Sequence, residues 1–461
     1  MVSNSNISNN LAGGEGGGIR IYGTSTISDS SILGNSTTGS GGGVSSHGSV
    51  TITSSNVSNN SAGIATSSNS THIPHNAAAS HISGIDQGGG IWALGEISIY
   101  DSTVSGNTAS GDGGGIYVRQ SRETSINNST ISGNSSEKNG GGIAVIKRYA
   151  APAIISNSTI SGNEADNHGG GISFDMWDLD EPNIATISHS TVVSNRADRD
   201  RQNGGIGSGI FINQETLLLD HSIVASNSPS SAIGPDLTGY LGVTLDVHYS
   251  LIGNNKDTGL TEAPVGSPDA NGNLIGGPGR SIINPRLGPL ANNGGPTLTH
   301  ALLTVSPAID AGDPLLRQGD PGLVEFDQRG APYGRVVGGR IDIGAYEHHP
   351  PASTLDADFD QDNDVDGADM LAWQRGFGKL RRATLADGDA TGNGKVDDND
   401  TAVLEATFGT LPVLHKAAPF DTNNTTTLLT QDPPTDHSQA VDEAFASIAA
   451  DRVAMKLQSA L

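Results

Sequence analysis

Through the first 255 residues, short apolar runs alternate with Ser, Thr and Asn and return in a fixed order. The stretch Asp101-Ser-Thr-Val-Ser-Gly-Asn107, followed by Gly113-Gly-Gly-Ile116, comes back at 128–134 with Gly140-Gly-Gly-Ile143 and at 157–163 with Gly169-Gly-Gly-Ile172. Looser copies set Asn10, Asn35, Asn60, Asn107, Asn134, Asn163, Asn195, Asn227 and Asn254 in one column, 25 to 32 residues apart except for a 47-residue gap before Asn107. Three residues before each Asn stands an apolar residue: Ile7, Ile32, Val57, Val104, Ile131, Ile160, Val192, Val224 and Leu251. Runs of Val, Ile and Thr that alternate with polar residues and end at Gly, Asn or Ser predict short strands and turns. No helical stripe intervenes. A unit this short cannot bury its apolar face alone, so the copies must stack. The pattern predicts a mainly β chain, a parallel β-helix with one repeat per coil over residues 1–282. Inward apolar columns and an Asn amide ladder would then run at the ~4.8 Å strand step. Glycine triplets suit its tight corners. The long gap reads as an insertion, with length enough for a degenerate extra turn.

Composition agrees with a thin-cored solenoid: of 461 residues, 34% are apolar, 4% are aromatic and 63 are glycine. The net charge of −25 argues against nucleic acid as a partner and favours cations, calcium above all. With no cysteine there is neither a disulfide nor a thiolate metal site, which leaves the compartment open. No apolar run is long enough to span a membrane. Repeat text follows Met1 at once and no signal peptide is visible, so the chain reads as N-terminally truncated, with an open edge on its first coil.

Residues 61–87 form the insertion; its His72, His75 and His81 lack the carboxylates that would complete a metal site and read as a solvated loop. Between 88 and 230 the copies differ mainly at one corner, after each Gly-Gly-Gly-Ile strand. Corners of changing length on successive coils stack on one face, where solenoids tend to bind. That face would gather Arg119, Arg122, Lys147 and Arg148 beside Asp175, Trp177 and Asp178, a set suited to a sugar ring and an anionic chain.

Residues 283–347 change character: Asn284-Pro-Arg-Leu-Gly-Pro, Ser306-Pro-Ala-Ile-Asp-Ala-Gly312, Asp327-Gln-Arg-Gly330 and Arg340-Ile-Asp-Ile-Gly-Ala-Tyr-Glu347. This block resembles the choice-of-anchor Q segment that follows β-helix repeats in bacterial cell-surface proteins. The repeats resemble the pectate-lyase-like right-handed β-helix group. The resemblance implies an exported, surface-associated protein whose solenoid is closed at its C-terminal end by this block; it implies no reaction. Asp310, Asp327, Arg329 and Asp342 read as turn-fixing groups.

After a linker at 348–355, residues 356–410 carry the sharpest chemistry. Asp358, Asp360, Asp362, Asp366 and Asp369 occupy positions 1, 3, 5, 9 and 12 of a loop, with the Asp364 carbonyl at position 7. Calcium takes six to eight hard oxygen ligands, and a 12-residue loop in this register supplies them. A second loop offers Asp389, Thr391, Asn393, the Lys395 carbonyl, Asp397 and Asp400; its fewer carboxylates predict weaker binding. Each loop runs into a short helix ending in Phe-Gly, at Phe377 and Phe408, and no entering helix is expected. This duplication resembles a type I dockerin, which implies two calcium ions and a cohesin-like partner. At loop positions 10 and 11 the chain has Gly367-Ala368 and Asp398-Asn399 where cohesin-reading dockerins have Ser/Thr pairs, so the calcium sites transfer better than the partner. A linker at 411–440 and an amphipathic helical tail at 441–461 follow, with Val441, Phe445, Ile448 and Met455 on one face.

Two functions fit. One is an extracellular or cell-surface rod that displays a binding surface, in a polysaccharide setting, and is tethered through the calcium module. The other is a lyase or hydrolase of a pectin-like anionic polysaccharide, which needs two carboxylates flanking a glycosidic bond, or bound calcium beside an Arg or Lys base.

Overall fold

β-Branched runs give the chain its strands, and residues that accept left-handed backbone give it its corners. A computed structural model describes residues 1–63, 86–120, 123–147, 151–176, 184–202, 204–228, 234–240, 242–337, 339–349, 357–360, 365–381 and 383–408. One full coil consists of Ile97–Tyr100, Thr103–Ser105, Thr108–Ala109 and Ile116–Gln120. Each strand pairs in parallel with its counterpart in the next coil, giving four sheets of nine, ten, six and eight strands. The solenoid is a parallel β-helix, as the periodicity predicts. Ser61–Ala62 pairs directly with Thr108–Ala109, so the coils on either side of the 47-residue gap are neighbours in the stack. The histidines of the insertion, His72, His75 and His81, lie outside the described residues.

The inward column also follows the prediction: Ile7, Ile32, Val57, Val104, Ile131, Ile160, Val192 and Val224 pair in unbroken register. It fails at the last member. Val224 pairs with Ile252, and Leu251 faces outward beside Ile223. The doubled Asn254-Asn255 hides the frame; aligning Ser250 with Ser222 instead shifts this copy by one residue.

Two polar ladders run beside the apolar column. Asn107, for example, donates its main-chain N–H and its side-chain amide to Asn134 Oδ1, at 3.0 and 2.9 Å, and a second amide N–H to Val57 O at 2.9 Å. The same set repeats from Asn35 to Asn195, so these buried amides spend both donors and the acceptor. The ladder does not end on Asn254. Asn227 donates to Asp236 Oδ1 at 2.6 and 3.1 Å, and the Asn254 N–H meets Asp236 Oδ2 at 2.7 Å. The second ladder is of serine: each main-chain N–H donates to the next coil's Oγ, from Ser5 through Ser30, Ser55, Ser102, Ser129, Ser158, Ser190 and Ser222 to Ser250. The residue before each of these serines holds φ between 42° and 50°, as at Asn128, Asn157, His189, His221 and Tyr249. Asn and Asp tolerate that conformation best; the two histidines and the tyrosine stack their rings there, 5.0 and 5.2 Å apart.

The block at 283–347 does not sit across the rod's end. A hairpin, Leu287–Ala291 with Thr299–Leu302, leads it back along the outer face of the second sheet, the one containing Thr103–Ser105. Gln328 sits between two coils, donating to Thr130 Oγ1 at 3.0 Å and accepting from Thr159 Oγ1 at 2.6 Å. His300 Nε2 meets Ser161 Oγ at 2.8 Å, and Val193, Ile223, Ala225 and Leu251 pack against Leu302, Ala308 and Ile343. Where a cap at the C-terminal end was expected, the block covers a flank. There the outward Thr column and the apolar patch beyond it supply its partners. Asp327, Arg329 and Asp342 fix its turns. Arg329 donates to Asp327 Oδ2 at 2.6 Å, and Asp342 accepts the main-chain N–H groups of Asp310 and His348.

Residues 357–408 hold two helices, Gly367–Gly376 and Asp398–Thr407, and a 3-10 turn at Leu385–Asp387. Among the described residues no helix is long and apolar enough to cross a membrane. The linker at 411–440 and the tail at 441–461 lie outside the described residues.

Candidate functional site

The two acidic loops are built alike. Asp366 caps the first helix by accepting the Ala368 N–H at 2.7 Å, and Asp397 caps the second by accepting from Asn399 at 2.9 Å. Asp369 and Asp400, the twelfth loop residues, are wholly buried and reach back across their loops. Asp369 accepts the N–H groups of Phe359, at 2.6 Å, and Asp366, at 2.8 Å. Asp400 accepts those of Thr391, at 3.0 Å, and Asp397, at 2.8 Å. Phe359 and Ala390, second in their loops, and Val365 and Val396, eighth in theirs, meet in one core with Trp373 and Leu404. The loops therefore face each other across a shared apolar centre.

In the first loop Asp358, Asp360 and Asp369 each bring a carboxylate oxygen to within 4.8 Å of the others. Three hard, anionic oxygens at one point fit a calcium ion by charge and by ligand type. Asp362 and Asp364 lie outside the described residues. In the second loop Asp389 accepts from the N–H groups of Asn393 and Gly394, at 3.1 and 2.7 Å, and Asp400 accepts from Thr391 Oγ1 at 2.9 Å. Burial pushes the Asp400 carboxyl above its ordinary range. The Asn393 side chain is turned to the Lys395 N–H at 2.8 Å. Thr391 thus stands at the loop centre, where the first loop has Asp360.

The corner surface is assembled only in part. Arg119 is exposed, and Asp175, two coils on in the same outward column, accepts from Asn213 Nδ2 at 2.8 Å. Arg122, Arg148, Trp177 and Asp178 lie outside the described residues. Lys147 is not part of this surface: its side chain points inward and is fully buried, paired with Glu215 and donating to Ile184 O at 3.2 Å. Side chains alternate along a strand, and Lys147 has the parity of the inward Ile143 and Val145. Glu215, two residues before the inward Leu217, is the buried partner that motif reading missed, and the same alternation would have found it. Desolvation drives Lys147 below the usual ammonium range and Glu215 above the usual carboxylate range, and their mutual attraction opposes both shifts. Among the described residues, no exposed pair of carboxylates placed for glycosidic cleavage emerges on this corner.

One further cluster, His189, Asp220 and His221, brings ring nitrogens and a carboxylate together on the rod's flank. Hydrogen bonds already occupy it: His221 Nδ1 lies 2.9 Å from Asp220, His221 Nε2 accepts from Asp313 N–H, and His189 Nδ1 accepts from Arg335.

Compared with known families, residues 46–260 match the one described as a right handed beta helix region. No curated protein and no solved structure matches the chain.

Proposed function

We propose that the chain is an exported, surface-displayed β-helix rod that is tethered or assembled through a calcium-dependent, dockerin-like module. The observation that carries this reading is the pair of equivalent loops, with Asp369 and Asp400 folded back onto their own loop backbones around one core. When bound, calcium would neutralise carboxylates that otherwise repel one another, so it favours the folded module. Asp358, Asp360 and Asp369 would hold the first ion; Asp389, Thr391, Asn393, Asp397 and Asp400 would line the second. The docking partner is then a cohesin-like domain or another cell-surface component, and the rod's corner surface faces polysaccharide.

Titrating the full chain with calcium in a calorimeter tests this directly. Two binding events are expected, with the first loop tighter. Asp360→Asn should weaken the tighter one by roughly tenfold or more while leaving the other unchanged, since it removes one of few anionic ligands. No calcium-dependent heat at millimolar calcium would sink the proposal.

A further inference from the structure

The flank block meets the rod through two imidazoles. His189 and His221 stack in the left-handed corner column, with Tyr249 on the far side of His221. The Asp313 N–H donates to His221 Nε2 at 3.0 Å, so that nitrogen carries no proton and the ring proton sits on Nδ1, beside Asp220. Arg335, fully buried, donates from Nη2 to His189 Nδ1 at 3.2 Å and also to Gly344 O. Each imidazole therefore serves as a base, accepting from the block at a nitrogen that a second proton would occupy. The Gly344 N–H donates to His221 O at 2.9 Å, so the block also bonds the main chain of this corner.

We propose that His189 and His221 form an acid-sensitive latch, and that protonating them releases block 283–349 from the rod. An added proton would set N–H against N–H at His221 and cation against cation at His189. Burial, with the charge of Arg335 next, holds His189 well below the usual imidazole range. A released imidazole titrates near about 6.5, so the released state binds protons more readily than the docked one. Docking is then full above about pH 6.5 and, through His189, weakens roughly tenfold per pH unit as the pH falls below it. Other charged groups face this contact. Asp220 lies on the rod; Asp313 and Arg340 approach Tyr249, and Asp327, Asp342 and Glu347 surround Arg335. Burial raises Asp342 to about 7 and Glu347 well above its usual value, and protonating them in acid works in the opposite direction, toward the folded block. Release would uncover the Thr column with Thr130 and Thr159 and the apolar patch around Ile223 and Leu251.

Amide hydrogen exchange on the full chain, expressed as protection factors at about pH 7.5 and 5, reads the latch. Measured relative to the His189→Gln/His221→Gln variant, in which Asp342 and Glu347 are unchanged, protection over residues 308–345 should fall by roughly tenfold or more in acid, while the inner strands at 97–105 hold theirs. His189→Gln/His221→Gln keeps an acceptor at each corner without a titrating ring, and its block should stay protected at both pH values. A wild-type pH profile that matches the double variant's overturns the latch, because the carboxylates are common to both and the imidazoles are not. If the double variant does not fold, C2–H exchange of the two imidazoles in the wild type decides. A release midpoint that differs from their protonation midpoint by more than about one pH unit then overturns the latch.

Discussion

An ammonium group buried among Ile and Val is tolerable only with its counter-charge in reach. Lys147 and Glu215 provide that for each other, across the coil that separates them. Removing one partner strands the other, which typically costs about 3–5 kcal/mol, whereas replacing both with apolar residues of similar size is often neutral. Lys147→Met and Glu215→Leu should each lower the rod's melting temperature sharply, and the double variant should recover most of the loss. Additive losses would show that the pair is not coupled. Asp236 is a second buried charge. Burial raises it to about 7, against the pull of the N–H groups of Asn227 and Asn254. A carboxyl whose folded value lies above its unfolded one adds stability in full below about pH 4 and loses it as the pH rises through about 7. Exchange protection over 223–254 should therefore fall between about pH 5 and 8, and Asp236→Asn should flatten that profile.

At the scale of the element, the sequence made the coil legible but not its frame everywhere. β-Branched columns and Asn recur in register because each position faces the same environment in every coil, so pattern and pairing carry the same information. The serine ladder was equally present in the sequence; it went unread because Ser also fills the turns. The register of the last copy was lost at the doubled Asn254-Asn255, and the inward Lys147 was lost by weighing charge above parity. The flank block could not be placed from sequence, since partners such as Gln328 and Thr130 lie 198 residues apart. The glycine triplets carry the firmest element-level prediction. A Cβ on Gly42 would overlap the main chain of Gly89 and Ser61, both in the next coil, whereas one on Gly23 meets nothing within 4 Å. Gly42→Ala should destabilise by at least about 1–3 kcal/mol, the usual cost of overpacking, and Gly23→Ala should be close to neutral in a thermal melt.

For the whole molecule, rod and module are held by different physics. The rod's columns, ladders and flank contacts are apolar packing and hydrogen bonds between protein groups. The module's carboxylates crowd together around a small core in which Trp373 is buried. Excess chelator should shift Trp373 emission and melt this unit while the β signal of the rod in far-UV dichroism stays unchanged. Simultaneous loss of both would mean that the rod also depends on calcium.

The ladders have one more property. In both, the main-chain N–H points toward the following coil, from Asn10 to Asn227 and from Ser5 to Ser222. Aligned donors polarise one another along a chain. Each ladder is thus a row of small dipoles pointing one way, with its positive pole toward the last coils. There the Asn series stops at the Asp236 carboxyl group, whose two oxygens accept from Asn227 and Asn254. An amide could relay the hydrogen bond onward; these oxygens only receive it. The rod has a direction, and its Asn ladder has a receiving end.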